Sequence, residues 1–285
     1  MNEEIDPVFE RPVFIMSAPR SGSTLLFETL QRAPALYTIG SESHRLIESI
    51  PTLGIGDRGF ESNRLVAADA TPAVRDELRA RFSARAVDRD GNAAPAQARF
   101  RLLEKTPKNA LRIPFLREVF PEAMFVYLYR DPRQVLASMI DAWLSGKFQT
   151  YPGLPGWPHP YWSLLLTPGW RALGGKPLQE IVAGQWQCAT SVMLDDLAAL
   201  PRERWTALRY DAFIRDPDAR IRALCDILGL QWDQALGRAL PLSRFTLSPP
   251  DAEKWRRHAA VIEPLLPALQ ATIERAERMA ADAAG

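Results

Sequence analysis

A chain of 285 residues, 47% of them apolar and 24% charged, is long enough to bury one large core. Its net charge of +1 excludes a global basic field for nucleic acid or an anionic membrane, so any anion site must be local. Two cysteines, Cys188 and Cys225, are too few for a disulfide framework. In chain order, residues 1–11 are polar and show no leader pattern, which predicts a cytoplasmic protein. Residues 13–24 read Val-Phe-Ile-Met-Ser-Ala-Pro-Arg-Ser-Gly-Ser-Thr. Val13–Met16 predicts a buried parallel strand, followed by a tight loop and a helix over 25–31, an arrangement whose backbone N–H groups cradle a phosphate. A nucleoside-triphosphate loop would carry glycine at Ser17 and lysine at Ser23. The only cation here is Arg20, so the loop suits an anion but not ATP with magnesium.

A short strand over 36–39 leads into Gly-Ser-Glu-Ser-His at 40–44 and a helix over 43–50. Residues 51–64 form a glycine-rich loop, and 72–89 a helix bearing Arg75, Arg79, Arg81, Arg85 and Arg89. Leu102 and Leu103 precede Glu-Lys-Thr-Pro-Lys-Asn at 104–109, then a helix over 110–119. Residues 125–129 form another apolar strand, Arg130 ends it, Asp131 caps the next helix and Pro132 suits its first turn. Ser138 lies about two turns further on. Residues 148–177, rich in proline, glycine and aromatics, exclude a continuous helix. A helix over 178–199 leads to a strand over 205–209, and Asp216-Pro217 opens a helix ending near Gly229. Strands alternating with helices predict an α/β fold with ligand at the carboxyl ends of a parallel sheet.

The two phosphate-type segments, in this order and about a hundred residues apart, resemble those of the PAPS-dependent sulfotransferases, PAPS being 3′-phosphoadenosine 5′-phosphosulfate. The likeness extends over most of residues 12–260, to bacterial members and to the tyrosine-protein and cytosolic enzymes. It implies a P-loop-like three-layer fold with a central parallel sheet flanked by helices. It further implies one sulfotransferase domain over 1–285, with a helical insertion at about 65–98 and an aromatic lid at about 148–177. The implied activity moves a sulfuryl group from PAPS to a hydroxyl, less readily an amine, and releases PAP (adenosine 3′,5′-bisphosphate).

By the same resemblance, Arg20, Ser21, Gly22, Ser23 and Thr24 hold the 5′-phosphosulfate, while Arg130 and Ser138 hold the 3′-phosphate. Tyr210 matches a tyrosine that contacts adenine. Lys254-Trp-Arg matches a piece that closes over the nucleotide. The Arg-Lys-Gly run of the cytosolic enzymes is absent; Lys254 or Arg257 is a candidate substitute, or plain surface charge. Lys105 corresponds to a lysine that contacts the leaving group, with Lys108 a competitor. Glu42 stands where the tyrosine-sulfating relatives carry their catalytic glutamate. His44 is a second candidate base, intrinsically matched to neutral pH, and both residues are alternatively caps of the helix over 43–50. The cytosolic enzymes take their base from a histidine after the lysine segment; residues 105–112 contain none, which argues against a phenol- or steroid-type active site.

Sulfuryl transfer, by analogy with phosphoryl transfer, needs cations near the departing oxygen and a base near the acceptor proton. Arg20, Lys105 and Glu42 or His44 supply these types. No metal is expected, because no ligand cluster has metal spacing. Phe148, Tyr151, Trp157, Tyr161, Trp162 and Trp170 form either a lid over an apolar acceptor pocket or a packed structural loop. The arginines at 72–89 invite docking of an acidic carrier bearing the acceptor, although Asp76, Glu77 and Asp88 favour a solvated helix. The expected partner is a small-molecule acceptor, free or carrier-bound, with no nucleic acid or membrane. A P-loop kinase and a catalytically inactive PAP-binding module are the alternatives.

Overall fold

In a computed structural model, residues 6–244 and 251–283 are described. Residues 1–5, 245–250 and 284–285, which belong to the expected domain and its polar N-terminal segment, lie outside the described residues. Four successive apolar side chains with no polar face require burial on both sides, and Val13–Met16 accordingly forms β1, at the centre of a parallel sheet. Its loop leads into α1 (Ser23–Leu30) and the short β2 (Leu36–Tyr37). Next come α2 (His44–Glu48), α3 (Pro72–Ser83), β3 (Arg101–Glu104), α4 (Ile113–Val119), β4 (Met124–Tyr129) and α5 (Pro132–Leu144). A hairpin of β5 (Gln149–Pro152) and β6 (Tyr161–Ser163) precedes the long α6 (Leu178–Ala198). The chain continues through β7 (Trp205–Arg209), α7 (Tyr210–Arg215), α8 (Pro217–Leu228), α9 (Ala259–Ile262) and α10 (Leu266–Ala283).

The five-stranded sheet has the order β2-β3-β1-β4-β7, every pair parallel. Alternate residues along each strand face opposite layers. Phe14, Met16, Phe125, Tyr127 and Tyr129 join the core under α3, α4, α6 and α10. Val13, Ile15, Val126 and Leu128 join the core under α1 and α8. This is the expected three-layer α/β architecture. The strand order reverses at β1, so the loops after β1, β3 and β4 converge at one edge, where open parallel sheets bind ligands.

Several boundaries differ from the sequence reading. The helix expected over 72–89 stops at Ser83, because Val87 exchanges backbone hydrogen bonds with Thr38 and is drawn into a bridge there. The helix expected over 110–119 is divided into a tight 3-10 turn, Pro107–Leu111, and α4. Pro114, lacking an N–H, cannot donate back to Ala110, and this breaks the ladder. The helix expected over 43–50 is only α2. Residues 148–177 contain a packed unit: Trp162 meets Trp143, Trp157 and Trp170 edge to face, with Trp157 and Trp162 centroids 4.8 Å apart, and Trp157 also meets Trp170 that way. Trp162 and Trp170 are fully buried in that cluster.

Candidate active site

A cavity of about 780 Å³ opens at the carboxyl edge of the sheet. One half is built by the β1–α1 loop and the β4–α5 junction. Gly22 has φ +97°, and a Cβ there would sit 2.3 Å from Cε2 of Tyr210. Glycine is therefore required twice over, for its left-handed backbone and for the tyrosine ring laid against it. No side chain caps α1, and Gly22, Ser23, Thr24 and Leu25 all line the cavity. Ser21 is buried beneath the loop rather than lining the cavity.

Arg20 has φ +68° and its guanidinium lies 4.7 Å from the Phe148 ring centroid, with Nε donating to Ser138 Oγ at 3.4 Å. Arg130 lies 4.5 Å over the ring of Tyr210, and donates to Gln134 Oε1 at 3.1 Å and to the Arg20 carbonyl at 3.2 Å. Every one of those partners is neutral. Burial makes ionisation of both arginines harder, and for Arg20 the Arg130 charge adds to the effect. Both guanidiniums therefore lie beside the uncapped start of α1, whose backbone N–H groups face the same cavity. At the far rim, Lys254 and Trp255 line the cavity, Arg133 stacks on Trp255, and Arg257 and His258 both engage Asp141 of α5.

The other half is built by the β2–α2 loop, the segment after β3, and the start of the β5–β6 hairpin. Lys105 Nζ donates to Glu42 Oε1 at 2.6 Å, and His44 Nδ1 stands 3.6 Å from Glu42 Oε2. Burial opposes ionisation of Glu42, but His44 and Lys105 outweigh it and hold the carboxyl down at about 2. Glu42 and His44 line the cavity, whereas neither caps α2. Deeper in, Lys108 donates to both oxygens of Glu48, Arg112 donates to Glu48 Oε1 at 2.6 Å, and Lys108 lies 4.9 Å from the Tyr151 ring centroid. Burial weakens the Lys108 ammonium's hold on its proton, against the pull of Glu48. Phe148, Tyr151, Leu164 and Leu165 give this half its apolar wall. Lys105 and Lys108, the two candidate lysines, are thus matched to two different glutamates.

A sequence profile described as the sulfotransferase family matches residues 12–234. The chain belongs to the sulfotransferase family. The match selects that reading over the kinase. The chain is 24% identical over 247 residues to protein-tyrosine sulfotransferase A of Caenorhabditis elegans, covering 83% of this chain and 56% of the relative. It is 24% identical over 242 residues to nodulation protein NoeE of Sinorhizobium fredii, covering 78% of this chain and 50% of that protein. The chain therefore spans about half the length of the curated relatives it matches. Among solved structures, the sulfotransferase domain of the Synechococcus PCC 7002 olefin synthase superposes with a TM-score of 0.52 at 21% identity, covering 96% of each chain. A sulfotransferase from Alicyclobacillus acidocaldarius gives 0.50 at 18% identity, covering 93% of this chain and 97% of that one. At these identities the likeness establishes the fold.

The sulfotransferase fold brings Arg20, Gly22, Ser23, Thr24, Arg130, Ser138, Tyr210, Lys254, Glu42 and His44 around one cavity, with Lys105 joined to it through Glu42. Sequence reasoning passed over Gln134, Asp141 and Glu48. Gln134 and Asp141 carried a signal, since they share a face of α5 with Ser138 at helical spacing. Glu48 lies four residues after His44, again one helical turn. Of the arginines once considered for carrier docking, Arg79 engages Asp6, Arg81 engages Glu77 and Arg89 engages Asp233. Among the described residues no group of side chains is arranged to hold a metal ion, and no helix is long and apolar enough to cross a membrane.

Proposed function

We propose that this sulfotransferase transfers a sulfuryl group from PAPS to an acceptor hydroxyl, releasing PAP, with the acceptor a small molecule, free or tethered to a carrier. The observation that carries the reading is Arg130: a recessed guanidinium whose hydrogen bonds and ring contact are all to neutral groups. A planar cation with spare donors fits a phosphate group, and the Ser138 hydroxyl, which accepts from Arg20 Nε, lines the same cavity. The α1 start and Arg20 fit a second anion, so the recess suits a ligand with two separated phosphate ends. When bound, PAPS supplies a sulfuryl group on a phosphate leaving group.

The chain's own residues supply the rest. Arg20 and Lys105 place positive charge where negative charge accumulates on departure. Glu42 takes the acceptor proton, with His44 the second candidate. Glu42 and Lys105 neutralise each other across 2.6 Å, so a carboxylate held at about 2 is a weak base until that lysine is drawn toward another anion. Donor and base are coupled in this way through one ion pair. Calorimetric titration with PAP, ATP and adenosine 5′-monophosphate, without metal, tests the reading. Selective binding of PAP supports it; binding of ATP alone, dependent on magnesium, overturns it. A protein that binds PAP but releases none from PAPS with any acceptor is the inactive module instead.

A further inference from the structure

Glu104 ends β3 and is buried to 1% exposure, yet it lies within salt-bridge distance of no cation among the described residues. Its carboxylate is instead filled with neutral donors. Oε1 accepts from Ser43 Oγ at 2.7 Å and Thr106 Oγ1 at 2.5 Å, and weakly from the Ser43 N–H at 3.4 Å. Oε2 accepts from Asn109 Nδ2 at 2.8 Å. The Ser43 backbone N–H also donates to Thr106 Oγ1 at 2.7 Å, closing a ring through three residues. Ser43 lies between Glu42 and His44, and Thr106 directly follows Lys105. Ser43 is moreover the N-cap residue of α2, makes no side-chain cap, and turns its hydroxyl to Glu104 instead.

Resting on the sulfuryl-transfer reading above, we propose that Glu104 is a positioning residue that clamps the Glu42–His44 loop to the Lys105 segment. A carboxylate is the group for this, because it accepts from several donors at once and donates to none. Burial favours its neutral form, against the pull of the three donors and of the nearby Lys105 charge, so the clamp is held at a cost in stability. Structural economy alone would place an apolar residue here, at the end of a fully buried strand. A glutamine keeps the acceptor oxygen for Ser43 and Thr106. Its amide then faces Asn109, whose Oδ1 has no hydrogen-bond partner among the described residues and can turn to accept it. Alanine removes both arms.

The test uses the full chain with Glu104→Gln, Glu104→Ala and the double variant Ser43→Ala/Thr106→Val, which cuts the clamp from the other side. PAP affinity, PAP release from PAPS with water and with 1-hexanol as acceptors, and hydrogen exchange over residues 41–48 are measured on each. Alanine is expected to slow PAP release about a hundredfold, as misplacement by about 1 Å does. Its PAP affinity should stay within about threefold and exchange over 41–48 should speed at least tenfold. Glutamine should restore the rate to within about tenfold of wild type and melt no lower than wild type at pH 8. The double variant should follow alanine, and it carries the test if alanine fails to fold. Unchanged exchange in both, or glutamine as slow as alanine with PAP affinity intact, overturns the clamp. Wild-type protein that binds no PAP overturns the donor assignment instead, and exchange still reports on the clamp.

Discussion

The two halves of the cavity handle charge in opposite ways. Around the β1–α1 loop, Arg130 rests on a tyrosine ring, a glutamine and a carbonyl, with no carboxylate within salt-bridge distance among the described residues. Around the β2–α2 loop, each buried cation already has its carboxylate: Lys105 with Glu42, and Lys108 and Arg112 with Glu48. A buried charge without a counter-ion costs stability unless a ligand supplies one. The Arg130 guanidinium is therefore suited to a ligand's anion, and the second half is internally neutral. Binding strength should reside in the first half, and chemistry together with structural integrity in the second.

The sharpest break of that division comes from Glu42→Gln. Loss of a general base costs on the order of a thousandfold in turnover, while PAP affinity should rise by no more than about fivefold, because Lys105 no longer has to be drawn away from Glu42. Initial rates of PAP release beside calorimetric affinity check this, and retained turnover would move the base role to His44. Glu48→Gln is next, and its effect should be on stability: it leaves Lys108 and Arg112 buried without a full counter-charge, at about 3 kcal/mol. Chemical denaturation should show a lower midpoint at unchanged slope. Arg130→Ala should reverse this pattern, weakening PAP roughly a hundredfold while the melting temperature holds or rises. An Arg130→Ala protein with wild-type PAP affinity would erase the contrast.

How far the sequence revealed this arrangement differs between the halves for a physical reason. The β1–α1 half is local: strand, loop, cap and helix start lie within a dozen residues, and Arg130 with Ser138 is a single strand-to-helix passage. Such segments declare themselves through apolar runs, Pro and Asp at a helix start, and glycine where φ is positive. β1 and β7 accordingly lie where the sequence placed them. The neutral half is assembled across about sixty residues, as in Lys105 to Glu42 and Lys108 to Glu48, and only the adjacency of β2 and β3 in the sheet creates those pairs. Glu104 looked like any charged residue beside a loop, since nothing in its neighbours announces burial. α3 ended early and the 107–119 stretch divided because a bridge at Val87 and a proline at 114 overrode helix propensity, a tertiary and a covalent cause that periodicity does not register.

The smallest effect concerns pH, and it isolates the ion pair that couples the halves. Glu42 is held at about 2 in the folded protein against an ordinary 4.5. A depressed carboxylate contributes stability that is fully present above its unfolded value and is lost as pH falls toward its folded one. The window is therefore about pH 4.5 down to about 2. Glu42 is about a quarter exposed, so solvent screening leaves a contribution of about 1 kcal/mol. Glu42→Gln should melt lower than wild type at neutral pH, and the gap should narrow on acidification across that window. PAP supplies an anion that competes for Lys105, so saturating PAP at neutral pH should shrink the same gap. If the gap is equally wide at pH 3 and pH 7, Glu42 contributes through shape rather than charge, and donor binding has no ion pair to release.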